Sequence, residues 1–167
     1  MIRTRKLEKR DAPQAATLIR ELTKRVEDPQ NLISWIETLA FPRDWQFLVV
    51  EQDDGKIVAF GGLAWNPLPS KGGFVGWINL LDDLLQEGDR SLRNGLIEEV
   101  VVDSEVRGKG LGRILLRELL KLAKEIGIKR VRLATSNPVA VELYKSFGFV
   151  EEVDRDYYVL DLTKYAA

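Results

Sequence analysis

The chain has 167 residues, of which 45% are hydrophobic and 31% are charged, a composition typical of one globular domain with a sizeable core. The net charge of −1 gives no basic excess, which argues against a nucleic-acid binder. The absence of cysteine excludes disulfides and thiolate chemistry, and the absence of histidine removes the commonest general base and metal ligand. The sequence has no apolar signal segment and no apolar run long enough to cross a membrane, so we expect a cytoplasmic protein that does not bind a membrane. From the charge and the missing histidine, we also expect no nucleic-acid partner and no metal.

The first half of the chain predicts a strand, two helices and a hairpin. Alternating residues predict a strand over 2–7, and apolar stripes predict helices from about residue 12 and over 31–40. An Asp-Asp-Gly turn predicts a hairpin of strands 45–52 and 56–65. Three further segments complete this half: a Pro/Gly-rich loop at 66–73, a strand or lid at 74–81, and the polar residues 82–95, which predict no defined element.

The second half alternates strands and helices. The expected elements are a strand at 96–103, a helix at 111–126 that stops at Gly127, a strand at 129–135, a helix from Asn137 to about residue 147, and strands at 149–153 and 157–162. Interleaved strands and helices predict an α/β (α+β) fold in a single domain over residues 1–167.

Three glycines at alternate positions, Gly108, Gly110 and Gly112, stand between a predicted strand and a predicted helix. This arrangement is typical of a phosphate-binding site, because the first turn of a helix carries unpaired N–H groups and the positive end of the helix dipole. Glycines let a phosphate approach without a Cβ in the way, and Arg107 and Lys109 add positive charge. The simpler alternative is a sharp turn without a ligand, for which one glycine is usually enough.

Two common nucleotide-binding patterns do not fit this turn. The Rossmann pattern needs its third glycine later, and it needs an acidic residue about twenty positions on, where this chain is basic. The Walker pattern is absent from the sequence. A different kind of nucleotide binder is therefore disfavoured.

The six residues from Arg107 to Gly112, RGKGLG, resemble the [Q/R]-x-x-G-x-[G/A] loop of the GNAT superfamily of N-acetyltransferases. The strand from Ile97 to Asp103 resembles the E-x-V-V strand that precedes this loop in the family. The segment from Asn137 to Phe149 resembles the family pattern N-x-x-A-x-x-x-Y-x-x-x-G-F. The similarity covers residues 96–152 closely, whereas the N-terminal half matches only in the order of its elements.

This resemblance implies a single-domain GNAT fold, with a central mixed, mostly antiparallel sheet that is flanked by helices and splayed at its two central strands. It implies that acetyl-CoA is the co-substrate and that the acetyl group moves to a primary amine by direct transfer in a ternary complex. The family binds the pyrophosphate of coenzyme A on loop amides and the pantetheine arm beside the preceding strand. The matching residues here are Val100, Val102, Arg107, Gly108, Lys109, Gly110, Leu111, Gly112 and Asn137.

Tyr144 matches the family position of the general acid that protonates the sulfur of coenzyme A. A tyrosine with a pKa of about 10 is protonated at neutral pH and can donate to a thiolate of similar basicity. The alternative is an ordinary packing role for a half-buried tyrosine. Asn137 matches a position that hydrogen-bonds the pantetheine arm, and an Asn before Pro is also a suitable N-cap for the helix that carries Tyr144.

Glu98 and Glu99 are the candidate general bases, because the chain has no histidine and many family members have an acidic residue here that acts through a water. Adjacent residues on a strand face opposite sides, so only one of the two can point into the site. A regular strand favours Glu99, since Glu98 would share a face with Val100 and Val102, but a bulge would invert this preference. The alternative is a solvated carboxylate without a catalytic role.

The acceptor is expected to be a small-molecule or peptide amine, bound between the first helices, residues 74–81 and the end of the chain. The identity of the amine and the oligomeric state, monomer or homodimer, stay open at this stage. The alternative function is a non-catalytic sensor module that binds coenzyme A. Replacing Tyr144 and measuring acetyl transfer separates the two.

Overall fold

One sheet of seven strands is the frame of this computed structural model, which describes residues 1–23, 28–39, 45–65, 94–152 and 157–165. The strands are β1 (Ile2–Lys6), β2 (Trp45–Gln52), β3 (Ile57–Trp65), β4 (Asn94–Val102), β5 (Arg130–Leu133), β6 (Val150–Glu152) and β7 (Tyr157–Asp161). Their order across the sheet is β1-β2-β3-β4-β5-β7-β6. Only β4 and β5 pair in parallel among these strands, which confirms the predicted mixed, mostly antiparallel sheet.

Helices cover both faces of the sheet. They are α1 (Ala12–Thr23), α2 (Pro29–Leu39), α3 (Leu111–Glu125) and α4 (Pro138–Lys145), with short 3-10 turns at Lys9–Asp11 and Ser104–Val106. Apolar side chains of α1 and α2 pack with Phe47, Phe60 and Val101 on one face. Side chains of α3 and α4 pack with Ile97 and Val131 on the other face. No helix in the described ranges is long and apolar enough to cross a membrane.

The predicted elements that fall in the described ranges are present, with ends that differ by a few residues. The hairpin turns at Gly55, whose φ is 83°, and Gly127, whose φ is 81°, follows the C-cap residue of α3. The predicted loop at 66–73, the segment at 74–81 and residues 82–93 lie outside the described residues.

The parallel pairing of β4 with β5 is short. It covers Asn94 to Leu96 on β4 and Arg130 to Arg132 on β5, whereas β4 continues to Val102 and stays paired with β3. The second half of β4 therefore leaves β5, which is the splay predicted for the two central strands. This opening lies beside the first turn of α3 and creates the candidate site.

A network of charged side chains fastens β1 to β2 and to the first 3-10 turn. The guanidinium of Arg5 donates to both carboxylate oxygens of Asp11, at 2.6 and 2.9 Å, and its Nε donates to Glu51 at 2.9 Å. Asp11 and Glu51 are only 3% and 6% exposed. Arg3 donates to the same carboxylate of Glu51 from a more exposed position.

The network lowers the pKa of both carboxyls. Burial raises the pKa of Asp11, but the hydrogen bonds from Arg5 and from the Glu8 N–H outweigh it and hold that pKa below the usual 3.8. Hydrogen bonds from Arg5 and then Arg3 lower the pKa of Glu51 from 4.5 to about 2. Both groups are therefore charged at neutral pH and depend on Arg5 for compensation.

We predict that Arg5→Met lowers the melting temperature at pH 7 by about 5–10 °C, because buried Asp11 loses its guanidinium partner and Glu51 keeps only the more exposed Arg3. Since the folded-state pKa values are lowered, the stabilisation is fully present above about pH 4.5 and is lost as the pH falls towards about 2. The difference between the two proteins should narrow over this window in thermal denaturation followed by circular dichroism.

Arg3→Met is the matched control, since its guanidinium contacts the same Glu51 but is 67% exposed. It should lower the melting temperature much less. Equal losses for both variants at pH 7, or an Arg5→Met deficit that persists unchanged to pH 2, would contradict this account.

Candidate active site

An open groove of about 590 Å³ lies where β4 separates from β5. Its lining comes from the end of β4, from the glycine-rich turn and the first turn of α3, from α4 with its N-cap, and from one residue of α1. The lining residues are Glu21, Val100, Val101, Val102, Arg107, Gly108, Gly110, Leu111, Gly112, Arg113, Asn137, Val139, Ala140, Leu143 and Tyr144. The groove thus brings together most of the residues that the sequence predicted for one site.

The glycine-rich turn has the backbone that its sequence predicted. Gly108 and Gly110 have φ values of 78° and 79°, a left-handed conformation that strongly favours glycine. Gly110 is the N-cap of α3, so the unpaired N–H groups of the first helical turn lie at the groove. A Cβ added at Gly108 or Gly110 would meet no other described atom within 4 Å.

Arg107 holds the entrance to this turn. Its Nε donates to the carbonyl oxygen of Val102 at 2.9 Å, which links the turn to the last residue of β4. The guanidinium of Arg113, in the first turn of α3, lies 5.2 Å from the ring centroid of Phe147 and donates to the Ser146 hydroxyl at 3.0 Å. Arg107 and Arg113 thus place two positive charges at this end of the groove, which suits an anionic group.

Tyr144 lines the groove from α4 and is 5% exposed. Its ring centroid lies 5.7 Å from that of Phe149. Burial raises the pKa of Tyr144 to about 12, so the phenol is protonated at every physiological pH. The residue can therefore act as a proton donor to the groove.

Asn137 has the capping role that its sequence context predicted, and it also lines the groove. Its side-chain oxygen accepts a hydrogen bond from the Val139 N–H at 3.0 Å, and Pro138 follows as the first residue of α4. The amide nitrogen of Asn137 is not used by this cap. Capping and ligand binding are compatible at this residue.

A bulge interrupts β4 at Glu99 and Val100. Phe60 of β3 pairs with Val101 and Gly62 pairs with Glu98, so Gly61 alone faces two residues of β4. Glu99 has a φ of 48°, which is uncommon for a residue other than glycine. Glu99 was favoured as the general base on the assumption that side chains alternate regularly along β4. The bulge breaks this alternation and inverts the preference.

Two glycines of β3 accommodate this part of the sheet. A Cβ on Gly61 would lie 3.2–3.3 Å from side chains of Leu115, Leu119 and Val100, and a Cβ on Gly62 would lie 2.4 Å from the Phe47 ring. Val100 therefore packs towards α3, on the same face as Ile97, although the two are three residues apart. Glu98 follows Ile97 and so lies on the opposite face, with Val101 and towards α1 and α2.

Glu98 is a buried carboxyl without compensation in the described part of the chain. It is 4% exposed, and neither carboxyl oxygen has a hydrogen-bond partner among the described residues. Burial raises its pKa well above 4.5, and the nearby charge of Glu99 raises it further. A buried, unsatisfied acid costs stability, and such groups concentrate at functional sites.

Three predicted site residues are not among those that line the groove, namely Glu98, Glu99 and Lys109. The lining also contains residues that sequence reasoning missed. Val139, Ala140 and Leu143 had a usable signal, because they lie one to five positions before Tyr144 on the same short helix. Glu21 had none, since only the packing of α1 brings it to the groove.

The residues present fit coenzyme A, which the resemblance implied. The left-handed glycines open the turn to a phosphate, and Arg107 supplies positive charge. The end of β4 provides main-chain groups beside the groove, with no β5 partner after Leu96. Coenzyme A has an extended polar arm followed by a pyrophosphate. These two parts match the main-chain groups of β4 and the adjoining glycine-rich turn.

Comparisons with known proteins find similarity to acetyltransferases. The profile of the family described as "Acetyltransferase (GNAT) family" matches residues 12–149. A probable glucosamine 6-phosphate N-acetyltransferase 2 from Oryza sativa subsp. japonica is 43% identical over 58 residues, 35% of this chain and 34% of that protein. The N-alpha-acetyltransferase RimI of Mycobacterium tuberculosis is 42% identical over 53 residues, 32% of this chain and 33% of that protein.

A solved structure extends the similarity to most of the chain. Glucosamine-6-phosphate N-acetyltransferase from Arabidopsis thaliana is 25% identical, with a TM-score of 0.67 over 91% of this chain and 93% of that chain. The curated relatives above are matched over about a third of their own length. The family profile covers most of the residues of this chain, which therefore belongs to the Acetyltransferase (GNAT) family.

We predict that Glu98→Gln changes stability in a pH-dependent way. The folded-state pKa of Glu98 is raised, so its neutral form is compatible with the fold below about pH 4.5, and stability is lost as the pH rises through the folded-state pKa. Glutamine cannot ionise, so the melting temperature of the variant relative to the wild type should rise by about 2–5 °C between pH 5 and pH 8.

Glu125→Gln, which changes an exposed carboxylate at the end of α3, is the control and should show no comparable trend. A pH-independent difference between Glu98→Gln and the wild type in thermal denaturation would show that Glu98 does not ionise as a buried, uncompensated acid.

Proposed function

We propose that the protein is an acetyl-CoA-dependent N-acetyltransferase that moves an acetyl group to a primary amine by direct transfer in a ternary complex. The observation that carries this proposal is the juxtaposition, in one groove, of a left-handed glycine turn, the β5-free end of β4 and a buried tyrosine. Direct transfer accords with the absence of cysteine, which leaves no thiol to carry the acetyl group.

The main chain of two segments would hold acetyl-CoA. The N–H groups from Gly108 to Gly112 would bind the pyrophosphate at the positive end of α3. The backbone of Val100 and Val102 would pair with the pantetheine arm, as a neighbouring strand would. Bound in this way, acetyl-CoA would supply the acetyl group as a thioester, which amines attack readily.

Tyr144 would donate the proton that the leaving sulfur needs. Its pKa of about 12 keeps the phenol protonated, and its place in the groove puts the donor on the side of α4. The raised pKa also makes the phenol a weaker acid than a free tyrosine, so the transfer depends on the position of the hydroxyl beside the leaving sulfur. Asn137, whose side chain already caps α4, would orient the arm through its remaining amide group.

Glu98 would accept the proton from the amine through a water, since its carboxyl is buried and does not line the groove. The bulge removes the alternation argument for Glu99 and turns Glu98 towards α1 and α2, the side opposite Tyr144. The raised pKa of Glu98 makes its carboxylate a stronger base than an exposed one. Base and acid would thus act from opposite sides of the opening between β4 and β5.

The acceptor would be a small-molecule or peptide amine that enters on the α1 side. Relatives are named for glucosamine 6-phosphate and for N-alpha amines, so both chemical types belong in the first screen. The direct test is acetyl-CoA consumption against a panel of amino sugars, amino acids, polyamines and peptides. Amine-dependent release of coenzyme A supports the proposal, and binding of acetyl-CoA without transfer to any amine favours the sensor function.

We predict that acetyl-CoA raises the melting temperature of the wild type and that Gly110→Val abolishes this shift. A ligand that binds only the folded state stabilises it by mass action. The valine side chain would occupy the space where the pyrophosphate is proposed to bind. The measurement is a thermal-shift titration with acetyl-CoA.

Gly127→Val is the matched control for backbone strain. Gly127 also has a positive φ, 81°, and a Cβ placed on it would meet no described atom within 4 Å, but it lies at the other end of α3. Each variant should lose about 1–2 kcal/mol or more of folding stability, yet only Gly110→Val should lose the acetyl-CoA shift. A shift that survives in folded Gly110→Val would contradict the loop assignment.

We predict that Tyr144→Phe lowers kcat by about 10²-fold, the usual scale for loss of one positioned acid. The fold and the affinity for acetyl-CoA should change little, since only a hydroxyl is removed. The comparison uses saturating acetyl-CoA and the best amine from the panel, so that a binding defect is not mistaken for a chemical one.

An acyl donor with a better leaving thiol provides the internal control for Tyr144. Its thiolate needs no proton, so the difference between Tyr144→Phe and the wild type should largely disappear. An unchanged kcat for Tyr144→Phe with acetyl-CoA, under conditions in which chemistry limits the rate, would return Tyr144 to a packing role.

A further inference from the structure

The join between β4 and the glycine-rich turn is built around one buried carboxylate, Asp103. This residue is 5% exposed and directly follows the last residue of β4. Its N–H donates to the Val58 carbonyl at 2.9 Å, and its carbonyl accepts from the Val106 N–H at 3.1 Å. Its Oδ1 accepts from the Glu105 N–H at 2.9 Å. Asp103 therefore fixes the conformation of the 3-10 turn that leads into Arg107 and the glycines.

Lys56 holds the other oxygen of this carboxylate. Its Nζ lies 2.8 Å from Asp103 Oδ2 and 3.0 Å from Glu105 Oε2, so one ammonium bridges both acids of the turn. Hydrogen bonding from Lys56 is the main cause of the lowered pKa of Asp103. The contact spans 47 residues of sequence and joins the β2–β3 hairpin to the entrance of the groove.

The backbone on either side of Lys56 is itself held by α1. The side-chain amide of Gln14 donates to the Gly55 carbonyl at 3.3 Å and accepts from the Ile57 N–H at 2.9 Å. The lysine thus projects from a fixed position, which reduces the entropy lost when its side chain is ordered. An isolated surface pair would contribute little, but here one partner is a buried carboxylate with a structural role.

We propose that Lys56 is a positioning residue for the phosphate-binding turn: it orders Asp103 and Glu105 so that the turn is preformed before the cofactor binds. The part of this inference that concerns acetyl-CoA rests on the function proposed above. Without Lys56, the free turn samples other conformations, and only a fraction of the molecules can bind acetyl-CoA. The apparent affinity for acetyl-CoA falls in proportion to that fraction. Lys56 lies outside the groove lining, so the chemical step itself is unaffected.

The first test is amide hydrogen exchange on the free protein. Lys56→Met should accelerate exchange of the Glu105 and Val106 amides by about 3- to 10-fold, while amides of α3 and the core keep wild-type rates. Lys56→Arg should restore slow exchange, because a guanidinium can span both carboxylates. Lys121→Met, which removes an exposed lysine on the outer side of α3, is the matched control and should behave as wild type.

The second test is kinetic. Lys56→Met should raise the KM for acetyl-CoA by about 3- to 10-fold and leave kcat within twofold of the wild type. Asp103→Asn, which keeps a side-chain oxygen for the Glu105 N–H but weakens the pair with Lys56, should give the same pattern. If Lys56 only stabilised the fold, its replacement would lower the melting temperature. It would not raise the KM for acetyl-CoA or accelerate amide exchange in the turn alone.

The outcomes separate the two proposals. Wild-type exchange in the turn of Lys56→Met, or uniformly faster exchange throughout the chain, overturns the positioning role. Failure of the wild type to bind acetyl-CoA overturns the proposed function instead, and the exchange experiment on the free protein still decides whether Lys56 orders the turn.

Discussion

The early end of the pairing between β4 and β5 is the constraint on which the site depends. Every strand residue carries a main-chain donor and acceptor that need partners. β5 has four residues and β4 has nine, so β5 cannot pair with the whole of β4, and the three pairs end at Leu96. The last residues of β4 are thereby available at a groove, next to the N-terminus of α3. A ligand with an extended polar arm followed by a pyrophosphate would contact both features at once.

The bulge in β4 is the second structural feature on which the site depends. It determines which side of the sheet Glu98 faces. Gly61 and Gly62 leave room for Val100 and the leucines of α3 on one face and for Phe47 on the other. The extra residue turns Glu98 towards α1 and α2, where burial raises its pKa. Glu99 with its strained backbone and the buried acid Glu98 therefore lie together in an otherwise well-packed sheet. This pattern is expected where the requirements of function oppose those of stability.

The sequence allowed the fold and most of the groove lining to be predicted, because the relevant signals are local. The glycine turn, the Asn137 cap, the helix stop at Gly127 and Tyr144 all depend on residues within a few positions of one another. The bulge could not be predicted, since it depends on glycines of the neighbouring strand. The contact of Lys56 with Asp103 was equally hidden, because only the packing of the hairpin beside β4 brings these distant residues together. The role of Glu98 or Glu99 as the base stays a prediction.

A crystal structure of the protein with coenzyme A tests the central claim most directly. The account predicts that the pyrophosphate contacts the N–H groups of Gly108 to Gly112, and that the pantetheine arm hydrogen-bonds the main chain of Val100 and Val102. It also predicts that the sulfur lies within hydrogen-bond reach of the Tyr144 hydroxyl. Coenzyme A bound away from β4, or bound at the turn with its sulfur remote from Tyr144, would contradict the account.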